Sequence, residues 1–207
     1  NQSGSVVVFD NNENSSAVLA GFTITNGACS GYLEGYGAGI KCYSSPTIKN
    51  CIVKNNFFVP AGGYGAGIAI RFGGSPLIIN TLIVQNYGGQ ELGGGIWIED
   101  SSPVIEKVII SENSVLTGGG GIASLNSTVT LNNVLLNNNN ANSGGGIHAD
   151  ANSTFYLNHV TIADNNSIYQ NGFESGGILH TTNSSIFINN SIIWNNNGSQ
   201  IIDNVGN

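Results

Sequence analysis

Apolar residues in this chain fall in short clusters that return at a fixed interval, separated by Gly, Asn, Ser and Pro. A Gly-Ile step recurs as Gly39-Ile40, Gly67-Ile68, Gly95-Ile96, Gly121-Ile122, Gly146-Ile147 and Gly177-Ile178, about 25 to 31 residues apart. Each step is followed by a second apolar segment and then a third that runs into Asn: Ile48 to Val53, Ile78 to Ile83, Ile105 to Ile110, Leu131 to Leu136, Leu157 to Ile162 and Ile188 to Ile193. A partial unit precedes them at Leu19 to Ile24. Aligned on this period, one column reads Val53, Ile83, Ile110, Leu136, Ile162, Ile193, and three residues further on every unit has Asn: Asn56, Asn86, Asn113, Asn139, Asn165, Asn196.

Short β-branched segments bounded by turn formers predict strands. A unit this small cannot bury its own apolar side, so it must stack on its neighbours in register, at about 4.8 Å per coil. Crossovers between parallel strands are right-handed. The pattern therefore predicts an all-β, right-handed parallel β-helix of about seven coils with three short strands per coil. It forms one domain over residues 1–207, with partial first coils in 1–36 and repeated coils in 37–207.

Asn tolerates the left-handed backbone at a bend, and its amide can bond to the amide of the coils above and below. The invariant column is thus expected to form a structural Asn ladder. The Gly pairs mark the bend into the first strand. Gly-Gly-Gly at 93–95, 118–120 and 144–146 is not a phosphate loop, because no Lys-Ser/Thr follows and no helical pattern opens there.

Composition narrows the function classes. Only 8% of residues are charged, Met is absent, and five Lys and Arg against twelve Asp and Glu leave a net charge of −7. Such a chain repels phosphate backbones and anionic membranes, which argues against nucleic acid as partner. No apolar run approaches the roughly 20 residues a membrane helix needs, so this segment is not expected to insert into a bilayer. Cys29, Cys42 and Cys51 are too few for a disulfide scaffold and lack zinc-site spacing; buried thiols are favoured over a Cys29–Cys42 bridge.

Four stretches carry a family resemblance: Gly21-Phe22-Thr23-Ile24-Thr25-Asn26-Gly27, the Gly-Gly-Ile step, Ser45-Pro46-Thr47-Ile48-Lys49-Asn50-Cys51, and Ser191-Ile192-Ile193-Trp194-Asn195-Asn196. The chain resembles the right-handed β-helix repeat proteins of the pectate-lyase-like superfamily, of the bacterial secreted or surface type. The matching residues build coils, so the resemblance implies the fold and not one activity. It also implies further coils and end caps, and the chain is expected to be an excerpt of a longer protein whose exposed strand edges could self-associate.

Function is sought in two places. The connection between the Asn column and the next Gly-Ile step holds Tyr32, Glu34, Tyr36, Phe57, Phe58, Tyr64, Tyr169, Phe173 and Glu174. These aromatics suit sugar rings, or else pack over the coil edge. On the first strand, alternation from each inward Ile points Lys41 with Tyr43, Ala69 with Arg71, Trp97 with Glu99, Ala123 with Leu125, His148 with Asp150, and Leu179 with Thr181 outward. Trp97 is expected to be exposed, and Arg71 and Glu99, one coil apart, to form a surface ion pair. Superfamily enzymes that cleave acidic polysaccharides combine acids with a basic residue on a strand face, which makes Glu99, Asp150, His148 and Arg71 the catalytic candidates. Glu99 and Asp150 lie about 9 to 10 Å apart by coil spacing, the outer limit for an inverting pair. His148, His159 and His180 occupy different columns and make no metal site. Asp10 to Asn14 is read as a turn rather than a calcium loop.

These readings favour an extracellular or cell-surface β-helix module with a structural, adhesive or saccharide-contacting role, assembling end to end. Ligand contacts fall on Trp97, Tyr43, Tyr32, Tyr36 and Tyr64. The alternative is a polysaccharide lyase or glycoside hydrolase acting on the outward face of the first sheet. No cofactor is called for, calcium being the one ion left open. The expected partners are a polysaccharide or cell-surface glycan and further copies of the chain.

Overall fold

The computed structural model describes residues 4–29, 35–58, 62–168 and 175–204. Each coil contributes one strand to each of three parallel sheets. The first sheet runs from Val7–Phe9 through Ile40–Cys42, Ile68–Ile70, Ile96–Glu99, Ile122–Leu125, Ile147–Ala149 and Ser175–Thr181 to Ser199–Asn204. The second has seven strands from Val18–Ala20 to Ser185–Asn189, and the third seven from Thr23–Thr25 to Ile192–Trp194. Register follows the sequence period, with Ile40, Ile68, Ile96, Ile122, Ile147 and Ile178 stacked directly on one another. Among the described residues no α-helix occurs, and none is long and apolar enough to cross a membrane.

Three inward columns, one from each sheet, fill the interior. Ile40, Ile68 and Ile96 of the first, Ile48, Ile78 and Ile105 of the second, and Val53, Ile83 and Ile110 of the third are all fully buried. Each such side chain stabilises the fold by about 1.5–3 kcal/mol, so the repeated core, not any single contact, holds the stack together. Stacking is tight enough to exclude a side chain before each inward Ile: a Cβ on Gly95 would lie 2.5 Å from the carbonyl oxygen of Gly121. The column of Gly-Ile steps is therefore a close-approach column. The sharp bend comes two residues earlier, for example at Gly93 with φ 75°.

The Asn column forms the expected ladder. Nδ2 of Asn56, Asn86, Asn113, Asn139 and Asn165 donates to Oδ1 of the next Asn at 2.9–3.1 Å. The backbone N–H of each donates to the same oxygen at 3.0–3.1 Å. Each amide also donates to the carbonyl of an inward residue of the preceding coil, as Asn113 does to Ile83 at 2.8 Å. At one end Asn56 Oδ1 accepts from Gly27, which occupies the ladder position without a side chain. At the other, Gln200 Oε1 takes the place of a further Asn and accepts from both Asn196 nitrogens.

One expectation is corrected by a residue. The left-handed conformation belongs not to the ladder Asn but to the residue before it: Asn55, Gln85, Glu112, Asn138, Asp164 and Asn195, at φ 53–57°. The division of labour follows from geometry: the exposed residue turns the chain, and the buried one then sets its amide along the stack. A second left-handed column, Asn50, Asn80, Lys107, Asn133, His159 and Asn190, separates the second and third sheets. His159 is thus a turn residue.

The other cysteine, histidine and acid readings resolve simply. Cys29, Cys42 and Cys51 are buried thiols. Cys29 packs with Ala38, Phe58 and Ala66 in a small separate cluster, whereas Cys42 lies in the main core, so the Cys29–Cys42 bridge does not form. Burial pushes the Cys42 thiol up to about 12. His180 points inward near Asp203, with Nδ1 3.8 Å from the carboxylate. Asp10 to Asn14 is a turn, in which Asn11 N–H donates to Glu13 and Asn12 is left-handed. At the last described coil the inward Ile188 and Ile201 are 44% and 40% exposed, and Leu19 and Val7 at the first are half-buried, whereas their counterparts in the coils between are buried.

Candidate aromatic site on the first sheet

The outer face of the first sheet is not bare. The connection that follows the Asn column folds back as an arm, stacked by parallel bridges from Phe57 through Tyr87 and Ser114 to Asn140. Tyr36 and Tyr64, also bridged in parallel, lie over the sheet. The arm comes close because Gly65, left-handed at φ 67°, has no side chain: a Cβ there would sit 2.9 Å from Trp97 Cβ.

Trp97 consequently differs from its expectation. It is only 3% exposed, set between Ala69 and Ala123 of the adjacent coils and packed by Tyr36, Tyr64, Leu92 and Leu125. The physical reason is volume: the two alanines leave a slot one coil deep on either side of the indole, and the arm closes it. Tyr64 meets Trp97 at 4.8 Å and stacks on Tyr36 at 5.4 Å, 11° from parallel. Burial, followed by the nearby Glu91, pushes the Tyr64 hydroxyl up to about 12. Trp97 is a structural anchor under a tyrosine cover. Tyr32, and with it Glu34, Tyr169, Phe173 and Glu174, lies outside the described residues.

Beside this cover sits a charged and aromatic group. Arg71 Nε donates to Glu99 in the expected ion pair. The guanidinium lies 3.8 Å from the centre of the Tyr36 ring and 4.4 Å from that of Phe72. Tyr43 meets Phe72 edge-on at 4.8 Å. Lys41 lies 4.9 Å above Tyr43 and 3.7 Å from Asp10. Burial raises both Tyr43 and Tyr36, with Arg71 opposing the shift in each. Each cation here faces a carboxylate, so the patch carries aromatic surface with little net charge.

The catalytic candidates are not brought together. Glu99 is held by Arg71, and Leu125 stands next to it in register on the side toward Asp150. Asp150 accepts from Thr181 at 2.6 Å and from the Ala151 N–H at 2.9 Å. His148 points outward as expected but is wedged against the arm: a Cβ on Gly118 would fall 2.0 Å from its Nδ1. Burial lowers its basicity, with Asp150 opposing. Among the described residues no group of three or more His, Cys, Asp or Glu could hold a metal.

Two features escaped the sequence reading. Phe72 is 63% exposed in a turn where the neighbouring coil has one residue fewer between Glu99 and Ser101 than this coil has between Arg71 and Gly74. That insertion was its signal. The outward face of the third sheet carries an apolar column, Ile52, Leu82, Ile109 and Leu135, interrupted by Thr161 before Ile192, and the same alternation along the strands marks it in the sequence.

Residues 1–162 match the family model described as the right handed beta helix region. Neither the curated proteins nor the solved structures give a match.

Proposed function

The chain belongs to the right-handed β-helix family, and from that premise we propose that it is an extracellular or cell-surface module with a structural and saccharide-contacting role rather than a catalytic one. The observation that carries this reading is the aromatic group on the first sheet. Tyr43, Phe72 and Tyr36 gather around Arg71, whose charge is already matched by Glu99, and Tyr64 stacks on Tyr36. Aromatic faces with a few placed polar groups suit the C–H faces and hydroxyls of sugar rings. The same pairing weighs against a lyase or hydrolase. A general acid or base must reach the substrate proton, and here Glu99 is occupied, Asp150 is tied to Thr181, and His148 is half-buried with its Nδ1 enclosed against the arm.

The test is a panel of neutral and acidic polysaccharides, with and without calcium, following both retention of the protein and release of reducing or unsaturated ends. Retention without products is the expected outcome. Release of products that is lost in Glu99→Gln or Asp150→Asn would replace this reading with the enzyme.

A further inference from the structure

Phe72 is in an unusual conformation for its residue type. It has φ 56°, and Gly73 after it has φ 82°. Two successive left-handed residues make a turn that favours Asn-Gly, because Asn supports the conformation with its short polar side chain and a bulky aromatic does not. In this chain the non-glycine residues with positive φ are otherwise Asn, Asp, Gln, Glu, Lys or His. Phe72 is therefore the one apolar residue held this way among the described residues. It is also 63% exposed, so burial of its own ring does not offset the strain.

A strained backbone at an exposed aromatic points to a use for the ring. The ring's neighbours define that use. Tyr43 meets it edge-on at 4.8 Å and Arg71 backs it at 4.4 Å, which fixes its orientation and leaves aromatic surface facing solvent. The flanking charges are paired within the protein, Arg71 with Glu99 and Lys41 with Asp10. A carboxylated sugar would have to displace a native partner, whereas a neutral one would not. We infer that Phe72 and Tyr43 form a stacking platform for the apolar face of a neutral oligosaccharide.

This inference rests on the saccharide-contacting reading above and narrows it to one place and one ligand class. It is tested with Phe72→Asn, which restores the residue preferred by the turn. Calorimetric titration uses cellohexaose and xylohexaose as neutral probes and hexagalacturonate as the acidic one. The expected result is a neutral probe bound by the parent protein and bound about tenfold or more weakly by the variant, the scale of losing an interface hot spot. The variant's Tm should at the same time rise by about 2–4 °C through relief of backbone strain. Unchanged affinity in Phe72→Asn, or binding of hexagalacturonate alone, would overturn the platform while leaving saccharide contact intact. A lower Tm would show that the ring serves to brace Arg71, and would equally overturn it. Binding of no probe by the parent protein would overturn both this inference and the reading beneath it.

Discussion

Replacing Asn113 by Ala perturbs the ladder at its middle. The side chain is fully buried. Its oxygen accepts from the backbone N–H of Asn86 at 3.0 Å and from Asn86 Nδ2 at 2.9 Å, and its own Nδ2 donates to Ile83 O at 2.8 Å and Asn139 Oδ1 at 3.1 Å. In the variant Asn139 Oδ1 keeps the Asn113 backbone N–H, and Asn86 Nδ2 keeps the carbonyls of Val53 and Val84. The Asn86 N–H loses its acceptor and the Ile83 carbonyl loses its side-chain donor. The unpaired Asn86 N–H at about 1–3 kcal/mol, with about 0.5–1.5 kcal/mol for the second donor lost by an Ile83 carbonyl that stays in the parallel ladder, gives about 1.5–4.5 kcal/mol, a large part of the ~5–15 kcal/mol that holds a typical domain together. Asn138→Ala is the internal control. That residue is exposed and left-handed at φ 55°, so Ala there carries only the conformational penalty of about 1–2 kcal/mol. Urea unfolding followed by far-ultraviolet circular dichroism compares the two, with the slope of the transition checked for constancy. A loss for Asn113→Ala no larger than that for Asn138→Ala would refute the claim that the buried amide, rather than the bend, is what the column supplies.

Three further outcomes follow from the same geometry. Gln200→Ala should remove the acceptor of both Asn196 nitrogens at a cost of about 1 kcal/mol, seen as faster hydrogen exchange confined to the last coil. With Trp194, which is 71% exposed, replaced by Phe, the remaining Trp97 should emit at short wavelength and resist iodide quenching, and Trp97→Ala should destabilise by about 3–5 kcal/mol. His148 binds a proton less readily folded than unfolded, where its ordinary value is 6.5, so stability should fall as pH drops below that value toward the lowered folded one. His148→Gln should flatten this dependence in urea midpoints compared at neutral pH and about pH 5.

The fold was legible because every coil repeats the same burial decision. Ile40, Ile68 and Ile96 are inward for one reason, applied again at each coil, and a column of such choices is readable without coordinates. The ladder was legible for the same reason, since Asn at one position in each unit is a pattern and not a propensity. Features without that repetition were not. Val7–Phe9 joins the first sheet without a Gly-Ile step. Gln200 reaches the ladder from four residues beyond Asn196, outside the period. The cover over Trp97 depends on how Tyr36 and Tyr64 fold back across neighbouring coils, a contact between non-periodic connections that no column encodes. Alternation gave the outward direction of Trp97 correctly, but direction is not exposure once a second layer lies above the sheet. The offset of the left-handed residue by one position was hidden because Asn fills both positions in several coils, among them Asn55 with Asn56 and Asn138 with Asn139.

The most direct test of saccharide contact at the first sheet is where a sugar perturbs the backbone. Isotope-labelled protein titrated with cellohexaose and followed by amide chemical shifts should move Tyr43, Phe72 and Gly73 together, while Ile109 and Ile192 on the third sheet stay fixed. The absence of any shift, or shifts centred on the third sheet, would contradict the account.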